Sequence, residues 1–268
     1  MTTKQKTKTP ISYYGGKQMM LKEIIPLMPE HEVYVEPFFG GGAVYWAKEP
    51  SKCEVVNDVN MNIVNFYEVL KHDFFGLRKL VDATLHSRET YKKALIIYDC
   101  PWLFPEQPTL RAWAFWIVTN QGFSCKIGTW GYDKLKRAKT IQNKIDQFQE
   151  HLSERMRFTQ IEQNDAHKVI LSRDTENTFH YVDPPYIDTN QGHYGGYTHD
   201  HFKRDLNALE KVKGKFMLST YPSDILTDYT KRNGWFTKQI TKTLSASNGA
   251  KLTTRKTKIE VITTNYPI

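Results

Sequence analysis

The sequence is poor in cysteine and contains no long apolar run, and both shortages narrow the class of protein. Its 268 residues include three cysteines, Cys53, Cys100 and Cys125, and no CxxC pair. Cysteines this far apart argue against a zinc site or a disulfide framework and favour a reducing compartment. No apolar stretch approaches a membrane span, and residues 1–8 lack the apolar core of a secretory signal. We therefore expect a cytoplasmic protein that does not enter a membrane.

The sequence contains fewer acidic than basic residues. Lys and Arg number 37 against 29 Asp and Glu, a formal net charge of +8. Such an excess favours an anionic partner such as nucleic acid. The chain is long enough for one large core, or for a core domain that carries an insertion.

One tetrapeptide, Asp183-Pro184-Pro185-Tyr186, closes an apolar, strand-like run at 179–182. The prolines lack N–H groups and hold the chain extended, so the Asp183 carboxylate and the Pro184 carbonyl can converge as two acceptors. Two acceptors suit an amino group on a planar ring, and the Tyr186 ring offers a flat face for a base removed from its stack. The alternative is an ordinary turn, since Asp and Pro are common turn residues.

Two more acids follow strand-like segments. The first segment ends at Glu36 and leads into the glycine run 40–42, and the second is followed by Asp58, 22 positions after Glu36. This spacing resembles nucleotide-binding α/β folds, in which a glycine turn lets the backbone approach the ligand and an acid binds the ribose. An ordinary tight loop is the alternative for the glycines.

Further strands are predicted at 215–220 and 258–264, with helices between them. Alternating elements of this kind predict an α/β fold with a mainly parallel sheet. In such folds ligands bind at the carboxyl ends of the strands, where Glu36, Asp58 and Asp183 are expected to lie.

Residues 71–159 differ from the rest because they combine helical periodicity and strong basicity with no strand that ends in a candidate ligand. We interpret them as an inserted helical subdomain that divides the core domain into 1–70 and 160–268. Aromatic residues interleaved with cations suit phosphate contacts and stacking against bases, although a solvated surface is the alternative for any single lysine. The candidate DNA-binding residues here are Asn120, Gly122, Phe123, Lys126, Trp130, Tyr132, Lys134, Arg137 and Lys139.

Taken together, the chain resembles the Dam-like family of DNA adenine-N6 methyltransferases (D12 class, group alpha), in which a catalytic Asp-Pro-Pro-Tyr follows a recognition insertion. The motifs that carry the resemblance are Tyr13-Tyr14-Gly15-Gly16-Lys17, Glu36-Pro37-Phe38 with Gly40, Asn57-Asp58-Val59-Asn60 and Asn164-Asp165-Ala166.

The resemblance implies a Rossmann-like S-adenosylmethionine-dependent methyltransferase sheet with an inserted helical target-recognition subdomain. S-adenosylmethionine is then the cofactor and no metal is required. The implied cofactor-binding residues are Tyr13, Gly16, Lys17, Glu36, Pro37, Phe38, Gly40, Asp58, Asp165 and Asp183. The implied catalytic residues are Asp183, Pro184 and Tyr186, which would hold a flipped-out adenine.

Double-stranded DNA is the implied substrate, in the cytoplasm of a prokaryotic or phage-infected cell. Segment 245–249 resembles the family's C-terminal hairpin and makes Asn248 a further candidate DNA contact. A cognate restriction endonuclease is a candidate partner, and one flipped base per turnover is compatible with a monomer. Residues 124–132 replace the Arg and Asn pattern ending in Pro-Phe-Gly that GATC-reading members carry, which argues against GATC as the target.

Several alternatives remain open at this level. Cytosine-N4 methylation presents an amino group of the same geometry, and RNA adenine-N6 methylation uses the same chemistry. A nicotinamide-dependent dehydrogenase could use the glycine loop, but the tetrapeptide would then have no role. A DNA-binding protein with a vestigial catalytic fold is the alternative from outside enzymology. His199 and His201 lack the further ligands of a metal site and are expected beside the active site in a loop.

Overall fold

A computed structural model describes residues 8–132, 137–187, 196–243 and 257–268, with backbone alone at 137–140 and 242–243. The strands are β1 (Val33–Glu36), β2 (Cys53–Asn57), β3 (Thr159–Glu162), β4 (Thr178–Val182), β5 (Lys215–Thr220), β6 (Phe236–Thr243) and β7 (Thr257–Thr264). The helices are α1 (Leu21–Ile24), α2 (Ala43–Ala47), α3 (Met61–His72), α4 (Phe74–Asp82), α5 (Arg88–Asp99), α6 (Pro108–Asn120), α7 (Arg137–Gln147), α8 (His151–Met156), α9 (Ala166–Ser172), α10 (His199–Leu209) and α11 (Asp224–Asn233).

Within the described residues the strands form one seven-stranded sheet of order β3-β2-β1-β4-β5-β7-β6. Strands β1 to β5 run parallel, whereas β7 runs antiparallel to both β5 and β6. This arrangement confirms the predicted α/β fold with a mainly parallel sheet. Every residue of the central strand β4 is buried, because a parallel sheet is covered on both faces.

Several helices begin at residues that cap them. The side chains of Asn60, Asp73, Ser87 and Ser223 each accept a hydrogen bond from a backbone N–H in the first turn of α3, α4, α5 and α11. These bonds satisfy donors that a helix start otherwise leaves unpaired. The boundaries of these helices are therefore set by local sequence.

Helix α10 begins with a capping box, in which Thr198 accepts from the backbone N–H of His201 and the His201 ring accepts from the backbone N–H of Thr198. His201 therefore has a local structural role.

Among the described residues, no group of three or more His, Cys, Asp or Glu side chains could hold a metal ion. No helix in the described ranges is long and apolar enough to span a bilayer.

Between β2 and β3 the longer described elements are helices, from α3 to α8, joined by turns and loops. Strand β3 begins at Thr159, the last residue assigned to the insertion, and pairs with β2. Neither β3 nor β6 was predicted as a strand, because Thr-Gln-Ile-Glu and Phe-Thr-Lys-Gln-Ile-Thr-Lys-Thr are mostly polar. Both strands lie at the edges of the sheet, where fewer apolar residues are needed.

Candidate active site

A cavity of about 350 Å³ opens at the carboxyl edge of the parallel strands. It is lined by Tyr13 to Lys17, by Glu36 and Phe38 to Val44, by Tyr181 and Asp183 to Tyr186, and by Tyr221, Lys258 and Glu260. Ligands of open α/β sheets bind at this edge, so the cavity is the candidate active site. Its lining joins segments that are more than 240 positions apart in the chain.

The glycine turn after β1 forms one wall of the cavity. Gly40 and Gly42 have φ angles of +48° and +64°, in the left-handed region that favours glycine. A Cβ atom on Gly42 would lie 2.6 Å from the Phe39 ring, and one on Gly41 would lie 3.0 Å from the Cβ of Tyr13. Only glycine therefore allows the backbone to pass this close to the cavity.

Asp58, which follows β2, holds this turn in place. Its carboxylate accepts hydrogen bonds from the backbone N–H groups of Gly40, at 2.9 Å, and Asn60. Burial raises the pKa of Asp58 to about 6, although these N–H donors favour its charged form. Asp58 does not line the cavity itself, and it contributes by fixing the glycine turn.

Glu36, at the end of β1, presents a nearly inaccessible carboxyl group to the cavity, and the Tyr34 hydroxyl donates to it at 2.6 Å. Burial raises the pKa of Glu36 to about 8, and the Tyr34 hydrogen bond opposes that shift. The raised pKa favours the protonated form of this carboxyl near neutral pH. A cationic ligand would favour loss of that proton.

Asp183 follows β4 and is paired with Lys17. The Lys17 ammonium lies 2.6 Å from Asp183 Oδ1 and 4.9 Å from the centre of the Tyr186 ring. Burial raises the pKa of Asp183, an effect that Lys17 partly offsets. Burial alone would lower the pKa of Lys17, but the nearby carboxylates Asp183 and Glu260 raise it overall. Lys17 is therefore a charged, buried side chain at the centre of the site.

Tyr186 projects its ring into the same cavity. Its hydroxyl donates to Glu260 Oε1 at 2.8 Å and lies 3.4 Å from Ser219 Oγ, and its ring centre is 4.3 Å from that of Tyr221. The ring is thus anchored at its hydroxyl end, while its face borders the cavity beside Asp183 and Pro184. Such an arrangement can present a planar ligand to the Asp183 carboxylate.

The predicted cofactor-binding residues fall into two groups. Those that line the cavity are Tyr13, Gly16, Lys17, Glu36, Phe38, Gly40 and Asp183. Pro37, Asp58 and Asp165 lie outside the lining. The Pro37 carbonyl accepts from Asn57 Nδ2 at 2.9 Å, and Asp165 is about half exposed with an ion pair to Lys168 at 3.0 Å.

Among the predicted DNA-binding residues, Phe123, Lys126, Trp130 and Tyr132 belong to a loop that follows α6 (residues 121–132), here termed the recognition loop after this prediction. Phe123 and Tyr132 are more than half exposed, and the rings of Trp130 and Tyr132 stack at 5.6 Å. The Lys126 ammonium lies 5.9 Å from the ring of Tyr14, which lines the cavity. The recognition loop is therefore next to the cavity.

Two other predicted DNA-binding residues, Asn120 and Gly122, make close contacts within the protein. Asn120 is buried; its side chain accepts from the backbone and hydroxyl of Ser12 and donates to the Pro10 carbonyl. A Cβ atom on Gly122 would lie 2.4 Å from the Lys126 carbonyl oxygen. These contacts favour a role in positioning the loop. Arg137 and Lys139 lie on α7, where the backbone alone is described, and Lys134 and Asn248 lie outside the described residues.

The sequence interpretation missed Tyr181, Ser219, Tyr221, Lys258 and Glu260 as part of this site. Glu260 carried a usable signal, because it is a charged residue within the apolar strand Ile259-Glu260-Val261-Ile262. It is 3% exposed, and buried carboxylates are rare unless they are paired. The tyrosines carried no such signal, since aromatic residues are common in any core.

Comparison with known proteins adds independent evidence. The model of the family described as D12 class N6 adenine-specific DNA methyltransferase matches residues 13–258. Type II methyltransferase M1.LlaDCHI of Lactococcus lactis subsp. cremoris is 28% identical over 94% of this chain and 93% of that protein. Type II methyltransferase M.FokI of Planomicrobium okeanokoites is 25% identical over 97% of this chain and 43% of that protein. A DNA adenine methylase of Salmonella typhi is 23% identical over 68% of this chain and 66% of that protein.

Proposed function

This chain belongs to the D12 class of N6 adenine-specific DNA methyltransferases, and we propose on that basis that Asp183, Pro184 and Tyr186 hold a flipped-out adenine for methyl transfer. The enzyme is a site-specific DNA methyltransferase that uses S-adenosylmethionine to methylate adenine N6. Cytosine N4, RNA and nicotinamide chemistry are alternatives that this membership does not support. The observation that carries the proposal is the Asp183 carboxylate beside the Tyr186 ring in the cavity.

The cavity fits the chemistry of S-adenosylmethionine. Its lining offers the carboxyl groups of Glu36 and Asp183 to a cationic ligand, and the faces of aromatic residues such as Tyr13 to a planar or cationic group. Because a Cβ on Gly41 would lie 3.0 Å from the Cβ of Tyr13, glycine lets the turn pack closely against Tyr13 in the cavity wall. When bound, the cofactor supplies an electrophilic methyl group on a sulfonium. We propose that the seven predicted residues in the cavity lining hold it, with Asp58 acting through the glycine turn.

The hydrogen-bond acceptors that follow β4, the Asp183 carboxylate and the Pro184 carbonyl, would make adenine N6 more nucleophilic. The lone pair of adenine N6 is delocalised into the ring, so this nitrogen is a poor nucleophile. Hydrogen bonds from its two hydrogens to the Asp183 carboxylate and the Pro184 carbonyl would favour a more pyramidal nitrogen with an available lone pair. This is catalysis by orientation and electrostatics. The extra proton on the methylated nitrogen can leave through Asp183.

Tyr186 would hold the flipped base by stacking. Base-to-aromatic stacking contributes about 1–3 kcal/mol per base. Its hydroxyl bond to Glu260 fixes the ring before the base arrives, which reduces the cost of ordering it on binding. Adenine must leave the duplex to reach this ring, because the cavity lies between the sheet edge and the glycine turn.

We assign target recognition to the insertion 71–159, carried on a catalytic domain formed by 1–70 and 160–268. The position of the recognition loop supports this assignment, since Lys126 contacts Tyr14 at the cavity wall. Exposed Phe123 and Tyr132 suit stacking or wedging against bases, and Lys126 suits phosphate contact. Arg88, whose guanidinium lies 4.9 Å from the Trp130 ring, extends the same cationic surface.

The enzyme's wider setting is also a proposal. Type II methyltransferases among its relatives support a cognate restriction endonuclease as a partner. Methylation of one base per turnover needs one active site, so we propose a monomer. We also propose the cytoplasm of a prokaryotic or phage-infected cell as its location, because a DNA substrate is accessible there.

The first test uses Asp183→Ala. The variant is incubated with methyl-labelled S-adenosylmethionine and mixed-sequence duplex DNA, and the nucleosides are analysed by mass spectrometry. Wild type is expected to yield N6-methyladenine, and the variant no product with its duplex affinity largely kept, because the main acceptor for N6 is gone. Asp228→Ala, a change to an exposed acid on α11, is the matched control and should remain active. Equal loss of product and DNA affinity in a folded Asp183→Ala protein would contradict the proposed role.

A further inference from the structure

Glu260 reaches the active site because β7 runs against the other strands around the cavity. Thr220, the last residue of β5, pairs with Val261 of β7, so Glu260 lies just past the end of β5. The parallel strands end at the carboxyl edge of the sheet, where the cavity opens. Strand β7 runs in the opposite direction, so its first residues lie at this edge. Glu260 therefore brings a carboxylate to this edge from the first half of β7, and not from the end of a parallel strand.

The carboxylate of Glu260 is bonded to groups of the active site. Its Oε1 accepts from the Ser219 hydroxyl at 2.7 Å and from the Tyr186 hydroxyl at 2.8 Å, and it lies 3.6 Å from the Lys17 ammonium. The Glu260 side chain is 4% exposed and that of Lys17 is 7% exposed. Buried charges are tolerated when they are paired and hydrogen-bonded, and here the pairing joins Glu260 to Lys17 and Tyr186.

The position of Lys17 creates a conflict with the role proposed for Asp183. The Lys17 ammonium lies 2.6 Å from Asp183 Oδ1. Asp183 has to accept a hydrogen bond from the target amino group, and a carboxylate that already holds an ammonium is a weaker acceptor for a neutral donor. Withdrawal of Lys17 would therefore make the Asp183 carboxylate a stronger acceptor for the amino group.

We propose that Glu260 is a positioning residue that takes over Lys17 from Asp183 when the target amino group arrives. The inference rests on the function proposed above. Lys17 lies between the two carboxylates, at 2.6 Å from one and 3.6 Å from the other, so a small movement of its ammonium exchanges its partner. The exchange keeps the buried ammonium paired at every stage.

Without the charge on Glu260, the exchange would leave a buried ammonium with no counter-ion, which is strongly unfavourable. Lys17 would then remain on Asp183 and compete with the target base. Loss of the Glu260 charge should therefore lower kcat more than it weakens cofactor binding, because Glu36 and the glycine turn are unchanged. Glu260 thus affects the chemistry without touching the reacting atoms.

The test is Glu260→Gln, which removes the charge and keeps a side-chain oxygen that can accept from Ser219 and Tyr186. We expect kcat to fall by about 100-fold, within the range of single active-site groups. The dissociation constant for S-adenosylmethionine, measured by calorimetry without DNA, should change less than about threefold, as expected when an interaction specific to turnover is lost. Glu32→Gln, which removes a surface acid paired with Lys52, is the matched control and should leave kcat unchanged. A folded Glu260→Gln protein with wild-type kcat would overturn the inference.

A double-variant comparison tests whether Glu260 acts through Lys17. We expect Glu260→Gln to lower activity by less than about threefold in the Lys17→Met background, because coupled residues are not additive. A further loss of about 100-fold in that background would overturn the proposed coupling. The double variant leaves the summed charge of Lys17, Asp183 and Glu260 at its wild-type value, so it also serves if Glu260→Gln alone does not fold.

The Asp183→Ala and Glu260→Gln variants together distinguish failure of this inference from failure of the proposed function. If Asp183→Ala is inactive while Glu260→Gln is fully active, the role of Glu260 is wrong and the catalytic role of Asp183 stands. If Asp183→Ala retains methylation, the proposed function fails and the inference about Glu260 fails with it.

Discussion

At the scale of single residues, Glu36 couples protonation to folding. The ordinary pKa of a Glu side chain is 4.5, and burial raises that of Glu36 to about 8. Between these values the folded protein holds a proton that the unfolded chain has released. The contribution of Glu36 to stability is therefore fully present below about pH 4.5 and is lost as pH rises through about 8.

We predict that Glu36→Gln reduces the fall in unfolding free energy between about pH 6.5 and 8.5, because Gln has no proton to lose. Wild type should lose up to a few kcal/mol across this window, at about 1.4 kcal/mol per pKa unit traversed. The measurement is urea denaturation of both proteins at the two pH values. Asp58, with a pKa raised to about 6, titrates mostly below the window and is common to both proteins. An equal slope in wild type and variant would show that Glu36 is not the titrating group.

At the scale of elements, the recognition loop combines exposed side chains with a tightly constrained backbone. Ser124 and Cys125 have φ angles of +54° and +60°, which are uncommon for residues with side chains. Backbone bonds join Phe123 to Thr129 and Gly131 to Gln121 across the loop. Strained conformations of this kind persist where surrounding contacts enforce them.

Gly122 is the position on which this loop geometry depends. A Cβ atom there would lie 2.4 Å from the Lys126 carbonyl oxygen and 2.7 Å from that of Val118. We predict that Gly122→Ala lowers the unfolding free energy by about 1–3 kcal/mol, the usual effect of overpacking. It should also weaken duplex binding more than cofactor binding, because the loop is displaced while the cavity is kept.

Chemical denaturation and binding titrations measure both effects of Gly122→Ala. Thr129→Ala is the matched control within the loop, since its exposed side chain can be shortened without a backbone clash. The prediction fails if Gly122→Ala binds duplex DNA and unfolds as wild type does.

At the scale of the whole molecule, the insertion and the sheet share one core. Phe115 and Trp116 of α6 belong to the same buried cluster as Tyr34 of β1 and Phe179 of β4. Phe115 also lies 6.3 Å from Tyr13, whose ring lines the cavity. A second link is ionic, because Arg155 of α8 and Lys48 both pair with the buried carboxylate of Glu54 on β2.

We predict that the insertion and the catalytic domain unfold in one cooperative transition, since neither part buries its apolar surface alone. Differential scanning calorimetry should give a calorimetric enthalpy equal to the van't Hoff enthalpy, the criterion for two-state behaviour. Leu209→Ala, in the smaller apolar cluster around α10, should shift the whole transition and leave a single peak. Two separable peaks would indicate independently stable units.

The sequence by itself determined the strand that ends at Glu36, the strand that precedes Asp183, the glycine turn and the family. These features depend on local patterns, since apolar runs, glycines and the Asp-Pro-Pro-Tyr tetrapeptide encode their conformation over a few residues. Tertiary structure alone decided that Lys17 pairs with Asp183, that Asn120 is bonded to the N-terminal segment, and that Glu260 enters the site. The physical reason is that each of these contacts joins residues more than 40 positions apart, and the direction of β7, which no local pattern fixes, brings Glu260 to the catalytic edge.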